Sequence, residues 1–137
     1  MRTLHLGLRV TDLDRSVAFY RAVGYEVICE VPDTDIGHLT MLKLAGDEFV
    51  TLELVHHPNF ALVDGDSPLS HFVIQVDDML AVRAQLTERG IHVDEPISPD
   101  GSPDFWTAMM FDPEGNRIEL VQWPPGHADG MTAADQP

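Results

Sequence analysis

Two histidines and two glutamates carry the clearest chemical signal in this chain. His5 precedes Glu53 by 48 positions, and His71 precedes Glu119 by the same interval. Imidazole and carboxylate together form a donor set for a divalent transition metal, and two of each would give a charge-neutral first shell around M²⁺. A six-coordinate cation so held keeps two positions open for substrate oxygens. Glu53 lies between Leu52 and Leu54 in an apolar run, where a lone ionised carboxylate is costly and a cation removes the cost. These spacings predict a metal site made of His5, Glu53, His71 and Glu119.

The equal intervals come from an internal repeat. Displaced by 66 positions, residues 5–58 superimpose on residues 71–124 without a gap, with 11 identities in 54 positions. Among them are Asp12 with Asp78, Gly24 with Gly90, and Glu53-Leu54-Val55 with Glu119-Leu120-Val121. Each half reads as βαβββ. In the first, residues 4–10 alternate as a strand, Asp12 caps a helix carrying Leu13, Val17, Tyr20 and Val23, and Gly24 ends it. Strands follow at 25–31, 38–45 and 48–56. The second half repeats the plan with a strand at 70–76, a helix from Asp78 to Gly90, and strands at 91–93, 105–111 and 116–123 around the turn Asp112-Pro113-Glu114-Gly115. Module one is 1–58, the linker 59–68, module two 69–125 and the tail 126–137, with 1–125 forming one α+β domain. Strand parity sets His5 opposite Leu4, Leu6 and Leu8, and Glu53 opposite Leu52 and Leu54, so all four ligands leave the helix-packed face.

Composition excludes several classes of function. The net charge of -15 repels nucleic acid and anionic lipid, and no basic patch offsets it. No apolar run is long enough for a spanning helix, and the N-terminus lacks a signal-peptide pattern, so a cytoplasmic address is expected. The single cysteine, Cys29, reads as a small buried hydrophobe. His38, His92 and His127 read as solvated or structural. Phe105 and Trp106 read as packing residues, and Met41, Met109 and Met110 as core or pocket filler.

The segments LHLGLRVTDLDRSVAFYRAVGYEV, TLELV, SHFVIQVDD and FDPEGNRIELVQ resemble the vicinal oxygen chelate superfamily, and within it glyoxalase I most. The resemblance covers residues 1–123. It implies two tandem βαβββ modules forming a cup-shaped mixed sheet, with His5, Glu53, His71 and Glu119 as ligands of one Zn, Ni, Co, Fe or Mn ion. It further implies a homodimer with sites at the interface, His5 and Glu53 coming from one chain and His71 and Glu119 from the other. By the same resemblance Arg9 receives a carboxylate of glutathione. His57 stands where the bacterial enzymes have an Asn that contacts glutathione, so the co-substrate is glutathione or another small thiol. The activity implied is conversion of the hemithioacetal of an α-ketoaldehyde such as methylglyoxal to a hydroxyacyl thioester through an enediolate. Glu119 is the first choice as base and Glu53 the second, while Arg9 and His57 line the substrate site. The alternatives within the superfamily are an extradiol-type dioxygenase, an epimerase and an antibiotic-binding resistance protein.

Overall fold

The computed structural model describes residues 4–34, 37–59, 69 and 71–127. Most of the linker and the end of the tail, 60–68 and 128–137, lie outside the described residues, as do 1–3, 35, 36 and 70. The chain forms two compact units, the first comprising residues 1–68 with the turn Asp112–Gly115, the second residues 69–111 and 116–137. The architecture is α+β.

In the first unit the apolar alternation produces β1 (Leu6–Val10), and α1 (Leu13–Val23) starts at the Asp12 cap, whose carboxylate accepts the Arg15 N–H at 3.0 Å. Gly24, at φ 128°, ends the helix by donating its N–H to the carbonyls of Tyr20 and Arg21. Then come β2 (Glu26–Thr34), β3 (Gly37–Lys43) and β4 (Leu52–His56). The sheet order is β1-β4-β3-β2, with β1 parallel to β4 and the other pairs antiparallel. Leu8, Val10, Thr40, Leu42, Leu52 and Leu54 are all buried, and α1 packs against β2 and β4 with Ser16 and Tyr20 buried.

Helical spacing places Tyr20 in the helix core, and its hydroxyl finds a partner there. It donates to Asp112 Oδ2 at 2.7 Å, and burial together with the Asp112 charge pushes its ionisation far above the ordinary phenol range, which keeps it a donor. The neighbouring Glu114 carboxylate accepts from the Thr11 N–H at 2.6 Å and the Thr11 hydroxyl at 2.7 Å, just ahead of α1. That anion sits where the helix dipole favours one.

In the second unit β5 (Phe72–Gln75) and α2 (Met79–Glu88) are followed by β6 (Trp106–Phe111) and β7 (Arg117–Gln122), in the order β5-β7-β6. Here β5 is parallel and β6 antiparallel to β7. Met79 and Leu86 of α2 are buried, and α2 packs on β6 and β7. The strand expected at 91–93 is present only as a bridge between Val93 and Met110, although Ile91 and Val93 are buried. Of these three residues only Val93 finds a cross-strand partner.

Two further expectations need correction. Cys29 is exposed, because β2 is an edge strand whose Ile28 and Val31 are also exposed; apolar sequence there did not mean burial. The strand expected at 48–56 starts only at Leu52, since the Asp47 carboxylate accepts from the Leu44 N–H and the Thr51 hydroxyl and holds the preceding residues in a turn.

Candidate functional site

Parallel pairing of β1 with β4 places Leu6 beside Leu52 and Gly7 beside Glu53. In the second unit, β5 and β7 place Phe72 beside Ile118 and Val73 beside Glu119, the same register displaced by 66 residues. One residue before each strand stands a histidine. His5 Nε2 lies 3.3 Å from Glu53 Oε2, and His71 Nε2 lies 3.4 Å from Glu119 Oε2. Each unit therefore assembles one imidazole and one carboxylate from residues 48 positions apart in sequence.

The antiparallel neighbours complete the surroundings of each acid. Met41 is the cross-strand partner of Glu53, and Met109 that of Glu119. The two methionines are 68 positions apart, not 66. A gapless self-comparison therefore misses their equivalence, which arises because the β6–β7 connection is shorter than the β3–β4 connection. Both line the acids as the sequence suggested for pocket filler, whereas Met110 is core. On the other side stands Gly7, in register with Glu53 and not among the residues that spacing singled out. A Cβ at that position would lie 3.6 Å from Glu53 Oε1, so the absent side chain makes room for the carboxylate. An isolated glycine inside a strand pattern was the signal that marked it.

Glu53 is one of the few buried charged residues, with its side chain 11% exposed against 20% for Glu119. The separations bear on whether the pairs fit a metal. An N–H···O hydrogen bond centres near 2.9–3.0 Å, while two donors each about 2.1 Å from one cation at near-tetrahedral or octahedral angles stand roughly 3.0–3.4 Å apart. Both pairs have the wider spacing, and a neutral imidazole beside a carboxylate suits a divalent transition metal. Among the described residues no three His, Cys, Asp or Glu side chains cluster as a ready metal centre; the donors come as pairs.

Arg9 pairs in register with Val55 and is exposed on the parity of His5 and Gly7. His57 follows β4 and is half-buried, and its Nδ1 accepts the Asn59 N–H at 3.1 Å, a contact invisible in the sequence. His56 takes the opposite parity, in register with His38, and His38 lies 3.6 Å from Glu30 on the neighbouring strand. His127 stacks on Trp123, which stacks on Phe105, so these are packing groups, as is Trp106, whose indole N–H donates to the Pro103 carbonyl.

A family model described as the Glyoxalase/Bleomycin resistance protein/Dioxygenase superfamily matches residues 2–120. The chain belongs to that superfamily. A curated relative named a probable lactoylglutathione lyase, from Vibrio cholerae, is 31% identical over 130 residues, covering 93% of this chain and 94% of its own length. Among solved structures, a trypanothione-dependent glyoxalase I from Leishmania major superposes with a TM-score of 0.70 at 28% identity, covering 89% of this chain and 86% of that one. An antibiotic-binding protein from Streptomyces superposes with a TM-score of 0.66 at 27% identity, covering 90% of this chain and 97% of that one. Superfamily members thus include both enzymes and binders. Among the described residues no helix is long and apolar enough to cross a membrane.

Proposed function

We propose that this protein is a metal-dependent lyase of the glyoxalase I type, acting on the hemithioacetal of an α-ketoaldehyde such as methylglyoxal and a small thiol. The observation that carries the reading is the duplicated imidazole–carboxylate pair, at 3.3 and 3.4 Å, on equivalent strands in one register. Similarity to proteins named lactoylglutathione lyase supports the choice of reaction.

His5, Glu53, His71 and Glu119 would hold one Zn, Ni, Co, Fe or Mn ion, the pairs being shared between two copies of the chain in a homodimer. A cation held by these residues would supply Lewis acidity toward the substrate's oxygens, worth several kcal/mol of charge stabilisation. Glu119 takes the proton from the hemithioacetal carbon and returns one to the adjacent carbon, so atoms balance and the product is the hydroxyacyl thioester. Its greater exposure relative to Glu53 suits a group that must shift between ligand and base. Glu53, held between buried Leu52 and Leu54, keeps the more fixed position and is the second choice as base. Arg9 binds a carboxylate of the thiol, for which a guanidinium offers a bidentate fork.

Elemental analysis of the purified protein and an absorbance assay with methylglyoxal and glutathione test this reading. About one divalent ion per site and thioester formation are expected; turnover in neither glutathione nor another small thiol overturns it. The net charge of -15 and the likeness to an antibiotic-binding protein favour one second reading, a binder of a cationic small molecule. Stoichiometric binding of such a molecule without metal or turnover would establish it instead.

A further inference from the structure

The face of the first sheet opposite Glu53 carries a further set of metal-type donors, independent of the lyase reading. At the start of β3, His38 has the parity of buried Thr40 and Leu42, and at the end of β4, His56 has the parity of buried Leu52 and Leu54. The antiparallel register sets the two histidines directly opposite each other. Glu30 on β2 is in register with Thr40, which makes it the diagonal neighbour of His38 on the same face. Three adjacent strands thus bring a carboxylate and two imidazoles to one end of the sheet.

The backbone fixes where these residues stand. Gly37, at φ 122°, lets the start of β3 approach β4 so closely that a Cβ there would collide with the His56 carbonyl oxygen. The Thr34 hydroxyl donates to the Gly37 carbonyl at 2.5 Å and closes β2 on β3. Residues directly opposite in an antiparallel pair hold their Cβ atoms about 4.5–5.5 Å apart. Two imidazoles starting from there can close on one ion, because donors each about 2.1 Å from a cation stand roughly 3.0–3.4 Å apart.

His38 shows that the set lacks a partner. Its Nε2 is buried, has no hydrogen-bond partner among the described residues, and lies 3.6 Å from Glu30 Oε2, beyond hydrogen-bond range. Leaving a buried polar atom unsatisfied is costly, and a cation between imidazole and carboxylate removes that cost. The other buried side-chain atoms in this state are serine and threonine hydroxyls. The Glu30 side chain is 57% exposed and that of His38 32%, so an ion reaches the pair from solvent. No three donors converge among the described residues, and His56 joins the pair by turning its ring.

We propose that Glu30, His38 and His56 form a second divalent-metal site, one that takes Zn²⁺ or Cu²⁺ in preference to Mg²⁺ or Ca²⁺ and completes its coordination with water. An ion there ties the edge strand β2 to β3 and β4.

The test is Zn²⁺ titration of the chelator-stripped full chain against a chromophoric chelator. The H5A/H71A double variant removes the imidazoles of the other donor pairs, and about one Zn²⁺ per chain should still bind. Adding H38N or H56N should weaken that binding at least tenfold, since changing a group behind a metal ligand already costs about 10–100-fold and here a direct donor is lost. Adding H92A, which removes an exposed histidine 3.1 Å from Asp94, should leave the binding unchanged. In ring ¹H–¹⁵N spectra of the wild type, His38 and His56 should shift together as Zn²⁺ is added. The proposal is overturned if the H5A/H71A protein binds no Zn²⁺, if H38N and H56N leave its binding intact, if H92A weakens it as much as they do, or if the two rings respond separately. Zn²⁺ binding that survives H5A/H71A and is lost with H38N sustains this site even if the protein turns over no hemithioacetal, so the two readings fail separately. Should H38N or H56N lower the metal-free melting midpoint by more than a few degrees, the wild-type ring spectra decide alone.

Discussion

Glu53 and Glu119 occupy the same register on equivalent strands, each with a methionine on one side and a histidine within 3.4 Å, yet their remaining neighbours differ. Glu53 adjoins Gly7 and is the more buried, while Glu119 adjoins Val73, itself 52% exposed. The helices differ in the same way. Tyr20 and Leu86 are matching, fully packed positions, but Tyr20 carries a hydroxyl bonded to Asp112, whereas Leu86 fills its place with hydrocarbon alone. Duplication therefore preserved backbone pairing and the donor atoms, and left each unit to satisfy them with its own surroundings. Glu53 is the more enclosed acid and Glu119 the more exposed one.

The sharpest break of this comparison is the pair Glu119→Gln and Glu53→Gln. Removing a general base lowers turnover by about 10²–10⁴. Glu119→Gln should show that loss in kcat and Glu53→Gln a smaller one, with metal content measured alongside. Near-wild-type turnover in Glu119→Gln would reverse the roles.

The matching helix positions come next. Leu86→Ala leaves a cavity and should cost about 2–5 kcal/mol in urea unfolding. Tyr20→Phe retains the ring but removes the hydroxyl that donates to Asp112 Oδ2, at a cost of about 1.5–3 kcal/mol. Equal and small losses would show that the buried tyrosine hydroxyl contributes nothing distinctive.

Exchanging the strand neighbours should have a more local effect. Gly7→Val places methyls against Glu53 Oε1 and should weaken the affinity for a divalent ion about tenfold, or about 1.4 kcal/mol, while Val73→Gly should leave affinity within about twofold. Titration with Zn²⁺ or Ni²⁺ reads both. The smallest effect is expected at the helix starts. Glu114→Ala removes the acceptor of the Thr11 N–H and hydroxyl, and Gln122→Ala the acceptor of the Met79 N–H at 2.7 Å, each at about 1 kcal/mol. A thermal melt of each variant measures it.

Much of the fold was legible because each half obeys local rules. Asp12 and Asp78 announced the helices, Gly24 an end, and period-two alternation the strands that carry the glutamates. What escaped was governed by neighbours remote in sequence. Cys29 reads as core from its apolar flanks, but its strand has only one partner. Residues 91–93 read as a strand, yet one bridge is all that forms. Asp112 looked like an ordinary turn residue until Tyr20, 92 positions away, supplied its partner.

Sequence by itself determined which residues could bind a cation and that they come in two equal sets, because a repeat with fixed spacing copies residue type and strand parity together. Tertiary structure decided how those residues meet. The parallel registers bring each histidine within 3.4 Å of its acid, Gly7 clears space for Glu53, and the Asn59 amide fixes which nitrogen of His57 carries the hydrogen. Those are distances between atoms far apart along the chain or hydrogen positions set by a single backbone bond, and residue order specifies them only through the folded arrangement.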